Sequence, residues 1–474
     1  MNIAGQVKVM TPDQLATVHE RACQLLAQKG MVFESDDSVE IFKRNGCKVD
    51  GHTVFIPQTL VDKCVSQVPG SFKLEAPDPS RSVIVGEGIN IHPAGGEVAI
   101  QDFQGARREA TMEDFGNLQK LYQALDNVNI AGFEPISASG VPEETRSLWY
   151  AYESFKHSTK PILSPMSMET IQKKERIFDL FNIYYGKDFV DSHYLTWHAV
   201  CPNSPFFWSE FACEGVHVYA SHNQPICIVS APMTGITSPV FLLSTLILTM
   251  AESLAGLCLA QLIKPGIPVI MSASLTYGYM RSATWECASP DTSLMLAASI
   301  QMSREFYGIP ARAQTGVTSS KTCDYQAGME VMQSFLFSAL AGVNLTSQTV
   351  STLANLMTIS LEKTVLDDEL IARVRWLVDG WKFNEQQIGW DDLINARPNS
   401  DFLTNDSTME HFKDYFKPII SDWTNTEEWV DAGSKDVSFR AHERVGEILA
   451  AAPETMLEPD VDKAMLNYIK QLEL

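Results

Sequence analysis

The strongest constraint on this chain is an alternation that begins near residue 128. Short β-branched or apolar runs occur as VNIAGFEPI (128–136), KPILSPM (160–166), YLTWHAV (194–200), QPICIVSAP (224–232), IPVIMSAS (267–274), IPARAQTG (309–316), GVNLTSQT (342–349) and NLMTISLE (355–362). Between them lie stretches with helical spacing at 145–157, 169–185, 209–221, 237–263, 291–306 and 325–341. Strands that alternate with helices pair in parallel, because each crossover returns the chain to the same end of the sheet. Eight such strands in about 235 residues are what a (β/α)8 barrel requires. An open doubly wound nucleotide-binding sheet is the competitor. It loses ground because neither GxGxxG after a first strand nor GxxxxGK[ST] is present. The expected fold is therefore α/β: a (β/α)8 TIM barrel over 126–370, with an N-terminal helical and small-strand region over 1–125 and a helical C-terminal cover over 371–474.

The flanks carry their own grammar. TPDQLATVHERACQLLAQKG opens with a Thr cap and a first-turn proline and closes on glycine, so it reads as a helix. SDDSVEIFKRNG repeats the pattern, and Asp50-Gly51 marks a hairpin. Thr111-x-x-Asp114 is a capping-box variant that starts another helix. The tail is helix-rich and holds Trp376, Trp381, Trp390, Trp423 and Trp429, which suggests a cover packed on the barrel. VFLLSTLILTMAESLAGLCLAQLI (240–263) is long enough to span a bilayer. It carries Glu252, Gln261 and four hydroxyls and ends at KPG, so a buried helix packed on a sheet is the better reading.

Charge and cysteines narrow the function classes. The 474 residues carry a net charge of −22, which argues against nucleic acid and against an anionic membrane surface. The nine cysteines are scattered, odd in number and free of any CxxC, so neither a disulfide framework nor a zinc knuckle fits. With no charged head and apolar run at the N-terminus, a cytoplasmic location is expected.

Chemistry in a barrel sits where strands end. The residues there include Glu134, Ser164, Trp197-His198, Ser230, Ser272, Gln314-Thr315-Gly316, Ser347-Gln348 and Glu362. They offer no Asp/His/His metal cluster and no Ser-His-Asp pattern, so no metal is expected and no catalytic side chain is assigned. Aromatic residues crowd the same positions. Trp197, Phe206, Phe207, Trp208, Tyr277 and Tyr279 are either ordinary packing or the wall of a pocket for a quaternary ammonium, worth about 0.5–2 kcal/mol per good face. His92 lies in a Gly-rich turn near them. Arg281 and Arg312 are either structural ion-pair partners or the grip on a substrate carboxylate. The stretch RAQTGVTSSKTCDYQAGME (312–330) crowds small hydroxyls around Asp324. It reads as a strand, its exit loop and the next helix.

GEVAIQDFQGARREATMEDFGNLQKLYQALDNVNI, MAESLAGLCLAQLIKPGIPVIMSAS, YGYMRSATWECASPD, REFYGIPARAQTGVTSSKTCDYQAGMEVMQSFLFSALAGVNL and SLEKTVLDDELIARV occur in that order along nearly the whole chain. They resemble the trimethylamine methyltransferase (MttB-like) superfamily. The resemblance implies a barrel that passes a methyl group from a methylamine to the cob(I)alamin of a separate corrinoid protein, with no cofactor bound tightly by the barrel itself. Founding members carry pyrrolysine; this chain holds only standard residues and so resembles the branch that uses quaternary amines of the betaine class. A methyltransferase for non-quaternary methylamines and a non-catalytic betaine-binding barrel are the alternatives. The run Asp406-Ser407-Thr408-Met409-Glu410-His411 departs from the HTxxH-like pattern of many relatives. The substrate-binding residues expected on this basis are His92, Trp197, His198, Phe206, Phe207, Tyr277, Tyr279, Arg281, Arg312, Gln314 and Gln348, with Asn203 as a further carboxylate contact. Gly316, Thr318, Ser319, Ser320, Lys321 and Asp324 are expected to face the corrinoid, with Lys321 and Asp324 paired. A homo-oligomer is expected.

Overall fold

A computed structural model describes residues 2–132, 134–165, 171–282 and 284–473, with the backbone alone at 171–173. Phe133, Met166, Glu169, Thr170 and Ala283, which fall within the expected strands, helix and aromatic loop, lie outside the described residues.

The chain alternates strand and helix: β1 (Asn90–Ile91), α1 (Met112–Ala124), β2 (Ala131–Gly132), α2 (Arg146–His157), β3 (Ile162–Leu163), α3 (Ile171–Tyr185), β4 (His198–Val200), α4 (Glu210–Ser221), β5 (Ile226–Ser230), α5 (Leu242–Ile263), β6 (Val269–Ala273), α6 (Pro290–Gln301), β7 (Ala311–Gln314), α7 (Tyr325–Ala341), β8 (Leu345–Ser347) and α8 (Leu361–Asp379). Six strands form one curled parallel sheet in the order β4-β5-β6-β7-β8-β1, and β2 pairs in parallel with β3. The N–H groups of Asn129 and Ile130 donate to Ile91 O (3.0 and 3.1 Å), beside β1. Ser164 N donates to Thr196 Oγ1 (2.7 Å), linking the exit of β3 to the approach of β4.

One expected strand takes a different place. Thr358–Ser360 pairs with Ile100–Gln101 and Thr352–Leu353 rather than with β8. Its position beside β8 is held by Asn90–Ile91, from the region expected to be an extension.

Alternate residues of the strands point to one face. On the concave face Ile130, Leu163, Trp197, Ala199, Cys227, Val229, Ile270 and Leu345 form one buried cluster. Phe72, Leu74 and Val85 of an antiparallel hairpin close it from below. That hairpin lies at the entry end of the strands, where Glu75 N donates to Tyr194 O and Asn344 Nδ2 donates to Gly86 O. The helices cover the other face. The apolar α5 is long enough to cross a membrane, yet 83% of its most apolar window is buried inside the fold. Thr11 caps its helix as expected and completes a capping box with Gln14, and Thr111 forms the expected box with Asp114. Buried Lys160 satisfies carbonyls at and beyond the end of α1, donating to Leu125 O (2.7 Å) and Val128 O (2.6 Å).

The expected C-terminal cover divides in two. From Ile420 onward the tail packs down, with Ile420, Ala441, Val445 and Ile448 in the core around α1 and α8. Among residues 379–419 none is buried, although Phe416 packs against Trp376 and Arg373 of α8.

Candidate active site

The period of two that sends Ile270 and Leu345 to the concave face sends Ser272 and Ser347 there as well, one layer nearer the strand exits. Arg312 is the register partner of Ser272, and Gln314 is the partner of Ser347. Arg312 is buried and donates through Nε to His92 Nε2 (3.0 Å) and through Nη1 to Ser272 Oγ (2.7 Å). Because His92 Nε2 accepts, its proton sits on Nδ1, which faces Pro93 O at 3.1 Å. Burial, and then the charge of Arg312, hold the imidazole well below the usual histidine range, so it is neutral. Burial also lowers the guanidinium itself. Among the described residues no carboxylate pairs with Arg312. A buried cation without a counter-charge is costly, and the cost falls when an anion arrives.

Orphaned polar atoms surround it. Among the described residues Gln314 Nε2, Ser347 Oγ and Gln348 Oε1 are buried without a hydrogen-bond partner. Gln348 adopts a left-handed backbone (φ 59°) at the exit of β8, where its Nε2 donates to Gly95 O (3.3 Å). Cys201 follows Ala199 by two residues. It is exposed, yet burial pushes its thiol up to about 11 against the opposing charge of Arg312. In the loop after β1, fully buried Glu97 accepts from Thr352 Oγ1 (2.7 Å), and its Oε2 has no partner among the described residues. Burial raises this carboxyl to about 8, so it keeps its proton at neutral pH.

The other expected residues are dispersed. Trp197 packs edge-on to His92 with ring centroids 5.9 Å apart. His198 alternates to the outer face, stacks on Tyr219 of α4 at 4.5 Å, and is lowered to about 3 by burial and then by the Lys174 charge. Phe206 donates its N–H to Glu252 of α5 (3.1 Å) and carries the Lys29 ammonium over its ring at 5.1 Å. Phe207 pairs with Val32 of the N-terminal region, and Asn203 N donates to Phe207 O (2.7 Å). Tyr277 and Tyr279 lie on a hairpin after β6, where Tyr279 and Arg281 are exposed. The structure thus gathers His92, Trp197, Arg312, Gln314 and Gln348, and does not gather the expected aromatic wall. Ser272 and Ser347, expected only as strand-end residues, join the site, and Cys201 lies within the field of Arg312. Strand alternation was the available signal for the two serines; Cys201, beyond the end of its strand, and Glu97 had none.

The 316–324 loop is braced from within. Gly316 has φ 72°, and a Cβ there would lie 2.5 Å from Thr349 Cα, so only glycine fits beside the β8 exit. Thr318 Oγ1 and Ser319 N donate to Glu330, and Ser319 Oγ donates to Asn355 Oδ1 (2.8 Å). Lys321 and Asp324 do not pair. Lys321 Nζ donates to Ser319 O (2.6 Å), while Asp324 caps α7 by accepting from Ala327 N (3.0 Å) and also accepts from Ser320 Oγ (2.9 Å). The loop's serine and threonine hydroxyls bond within the protein, while Lys321, Thr322 and Asp324 remain exposed. Val98, Ile236, Met280, Tyr325 and Met357, on the loops after β1, β5, β6, β7 and β8, are exposed at this end. Among the described residues no group of three or more His, Cys, Asp or Glu is placed to hold a metal ion.

Comparison with known proteins places this arrangement. A family profile described as "Trimethylamine methyltransferase (MTTB)" matches residues 1–473. A glycine betaine methyltransferase of Desulfitobacterium hafniense (strain Y51) is 32% identical over 98% of this chain and 96% of its own. A trimethylamine methyltransferase, MttB1, of Methanosarcina mazei is 28% identical over 99% of this chain and 96% of its own. Among solved structures, the monomethylamine methyltransferase MtmB of Methanosarcina barkeri superposes with a TM-score of 0.51 at 13% identity, covering 92% of this chain and 93% of that one.

Proposed function

The chain belongs to the trimethylamine methyltransferase (MTTB) family, and on that premise we propose that it moves a methyl group from a carboxylate-bearing quaternary amine, a betaine, to the corrinoid of a separate protein. The observation that carries the choice of substrate is Arg312, buried without a carboxylate among the described residues. A betaine brings the missing anion. Trimethylamine has none and would leave the guanidinium unpaired. Gln314 Nε2 and Ser347 Oγ are further donors in reach of the same anion's layer, and neutral His92 fixes the guanidinium plane without repelling the substrate.

The geometry also orients the other end. Arg312 lies one layer deeper than Gln314 and Gln348, so a betaine held by its carboxylate points its N-methyl groups toward the strand exits. That end is where the exposed apolar rim supports docking of the corrinoid carrier. We read the eight strands as closing into a full (β/α)8 barrel, supported by the bonds from Asn129 and Ile130 to Ile91 and from Ser164 to Thr196. Cob(I)alamin, when presented there, supplies the nucleophile for the methyl carbon. The C–N bond then breaks with its electron pair left on nitrogen, so a neutral tertiary amine departs and needs no proton from the protein. The neutral state of His92 and the scarcity of acids near Arg312 accord with this.

A tight aromatic cage would hold the cationic ground state better than the transition state, in which positive charge leaves nitrogen. Anchoring through the unreacting carboxylate instead confers orientation. The test is incubation with cob(I)alamin and a methyl donor. Glycine betaine should produce the spectral change of corrinoid methylation, and trimethylamine should not. Turnover of trimethylamine alone would overturn the betaine assignment, and betaine binding without methyl transfer would overturn the enzymatic one.

A further inference from the structure

The polar atoms left over near Arg312 include an unmatched pair. Gln314 closes β7 and pairs in register with Ser347 of β8, so Gln348 follows directly on the neighbouring strand. Both glutamine side chains are buried. Among the described residues Gln314 Nε2 is a donor without a partner, and Gln348 Oε1 is an acceptor without one. Neighbouring amides ordinarily satisfy each other, because an unpaired buried polar atom costs stability. These two do not. The Gln348 amide is turned by its own Nε2, which donates to Gly95 O (3.3 Å). Its backbone N–H donates to Pro93 O (3.3 Å), the oxygen that His92 Nδ1 faces at 3.1 Å. These contacts tie Gln348 to the residue that orients Arg312.

The backbone carries a cost as well. Gln348 has φ 59°, a conformation that residues with a side chain seldom adopt, and strain of this kind gathers at ligand sites. An unpaired donor and an unpaired acceptor side by side match a ligand with two opposite poles. The anionic pole belongs with Arg312 and Gln314 Nε2. The other pole, a quaternary ammonium, has no N–H to donate. Its positive charge is spread over the C–H groups next to nitrogen, and these meet a carbonyl-type oxygen as weak hydrogen-bond donors. The expected aromatic wall lies elsewhere in the fold, with Phe206 against Glu252 and Phe207 against Val32.

We propose that Gln348 Oε1 is the contact for the ammonium pole of the substrate, in place of an aromatic cage; the assignment rests on the betaine reading above. An amide suits the position better than a carboxylate. A carboxylate so near Arg312 would compete with the substrate's own. A full counter-charge would also favour the ground state, in which nitrogen is cationic, over the transition state, in which that charge is leaving. A neutral dipole gives up less. Held at both poles, the substrate cannot turn about its carboxylate, and one methyl group stays aimed at the strand exits.

The test is calorimetric binding of two carboxylates of the same shape to the full chain: glycine betaine, and tert-butylacetate, in which carbon replaces the cationic nitrogen. Arg312 can meet both. Gln348→Met keeps the length and removes the acceptor. It should weaken glycine betaine roughly tenfold and the carbon analogue less than about twofold. Gln348→Asn tolerates the left-handed backbone and draws the oxygen back by one carbon. It should show the same selective loss, and it carries the test if the methionine variant does not fold. Equal losses for both ligands, or no loss for either, would overturn the proposal and leave the carboxylate anchor standing. A wild-type chain that binds neither ligand would overturn the betaine reading and this contact with it.

Discussion

Arg312 is held between a neutral imidazole and a hydroxyl, a placement that costs stability in the empty protein and favours an anionic ligand. A charge-assisted bond to a carboxylate contributes about 1.5–3 kcal/mol. Arg312→Ala should therefore lower kcat/KM for glycine betaine by about two orders of magnitude. It should change little for tetramethylammonium, which has no carboxylate. Single-turnover methyl transfer with both donors checks the difference; an equal loss for both would mean that Arg312 only holds the fold. Glu97 gives a second prediction, in stability. Its folded-state carboxyl is raised to about 8 from an ordinary value of 4.5. Below the ordinary value both states are protonated and the group has no effect. Between there and about 8 the unfolded chain ionises while the folded one keeps its proton, so stability falls as pH rises through this window and levels off above it. Glu97→Gln should flatten that slope, gaining up to a few kcal/mol at pH 8 relative to pH 5, as read by urea denaturation at both values. At this scale the sequence pointed to Gln314 and Gln348 because they close strands, to Arg312 as a cation near a strand end, and to His92 because it lies in a Gly-rich turn. It placed Ser272 and Ser347 at strand ends without a part in binding, because that part depends on register with residues 30 or more positions away.

Among the elements, α5 shows how composition alone misleads. Its 22 residues pass for a membrane span, but Glu252 accepts from Ser230 Oγ (2.7 Å), Ser204 Oγ (2.8 Å) and Phe206 N (3.1 Å), fixing the exits of β4 and β5 to the helix. The expectation of a buried helix rested on Glu252, Gln261, four hydroxyls and the KPG end, and the fold supplies the hydrogen-bond partners that a carboxylate lacks in lipid. One turn further, Gly256 lets the Trp208 ring lie against the helix: a Cβ there would meet Trp208 Cη2 and Cζ2 at 2.2 Å, and Ile228 at 3.2 Å. Neither the fully buried ring nor the strand behind it has room to yield. Gly256→Ala should cost about 1–3 kcal/mol despite the better helix propensity of alanine, read as a lower denaturation midpoint with unchanged slope. The aromatic wall failed as an expectation for a related reason. Trp208 and Phe206 are large because they fill the space between α5 and the N-terminal region, and a pattern of aromatic residues does not say which side of a sheet it fills.

At the scale of the whole molecule, local periodicity located seven of the parallel strands and the helices of the barrel up to α7, because each of those signals lies within a few turns of chain; α8 was not among them. It misplaced the strand next to β8. NLMTISLE is β-branched and does form a strand at Thr358–Ser360, but the edge of β8 is taken by Asn90–Ile91. That pairing joins residues more than 250 positions apart and leaves no local trace. The consequence is that the first 125 residues do not form a separable domain. They supply β1, the hairpin whose Phe72, Leu74 and Val85 close the concave face, and His92, which orients Arg312. A chain beginning at residue 126 would leave the N–H and C=O groups of β8 unpaired along one edge and uncover a buried apolar layer in which each large side chain contributes about 2–5 kcal/mol. Such a losses-only change exceeds the 5–15 kcal/mol that holds an ordinary domain together. The shortened chain should show no cooperative unfolding transition and should bind a hydrophobic dye at neutral pH. Adding residues 1–125 as a separate polypeptide should restore the transition if pairing of β1 with β8 is what was lost. A sharp, dye-free transition in the shortened chain alone would show instead that the parallel layer stands without its N-terminal strand.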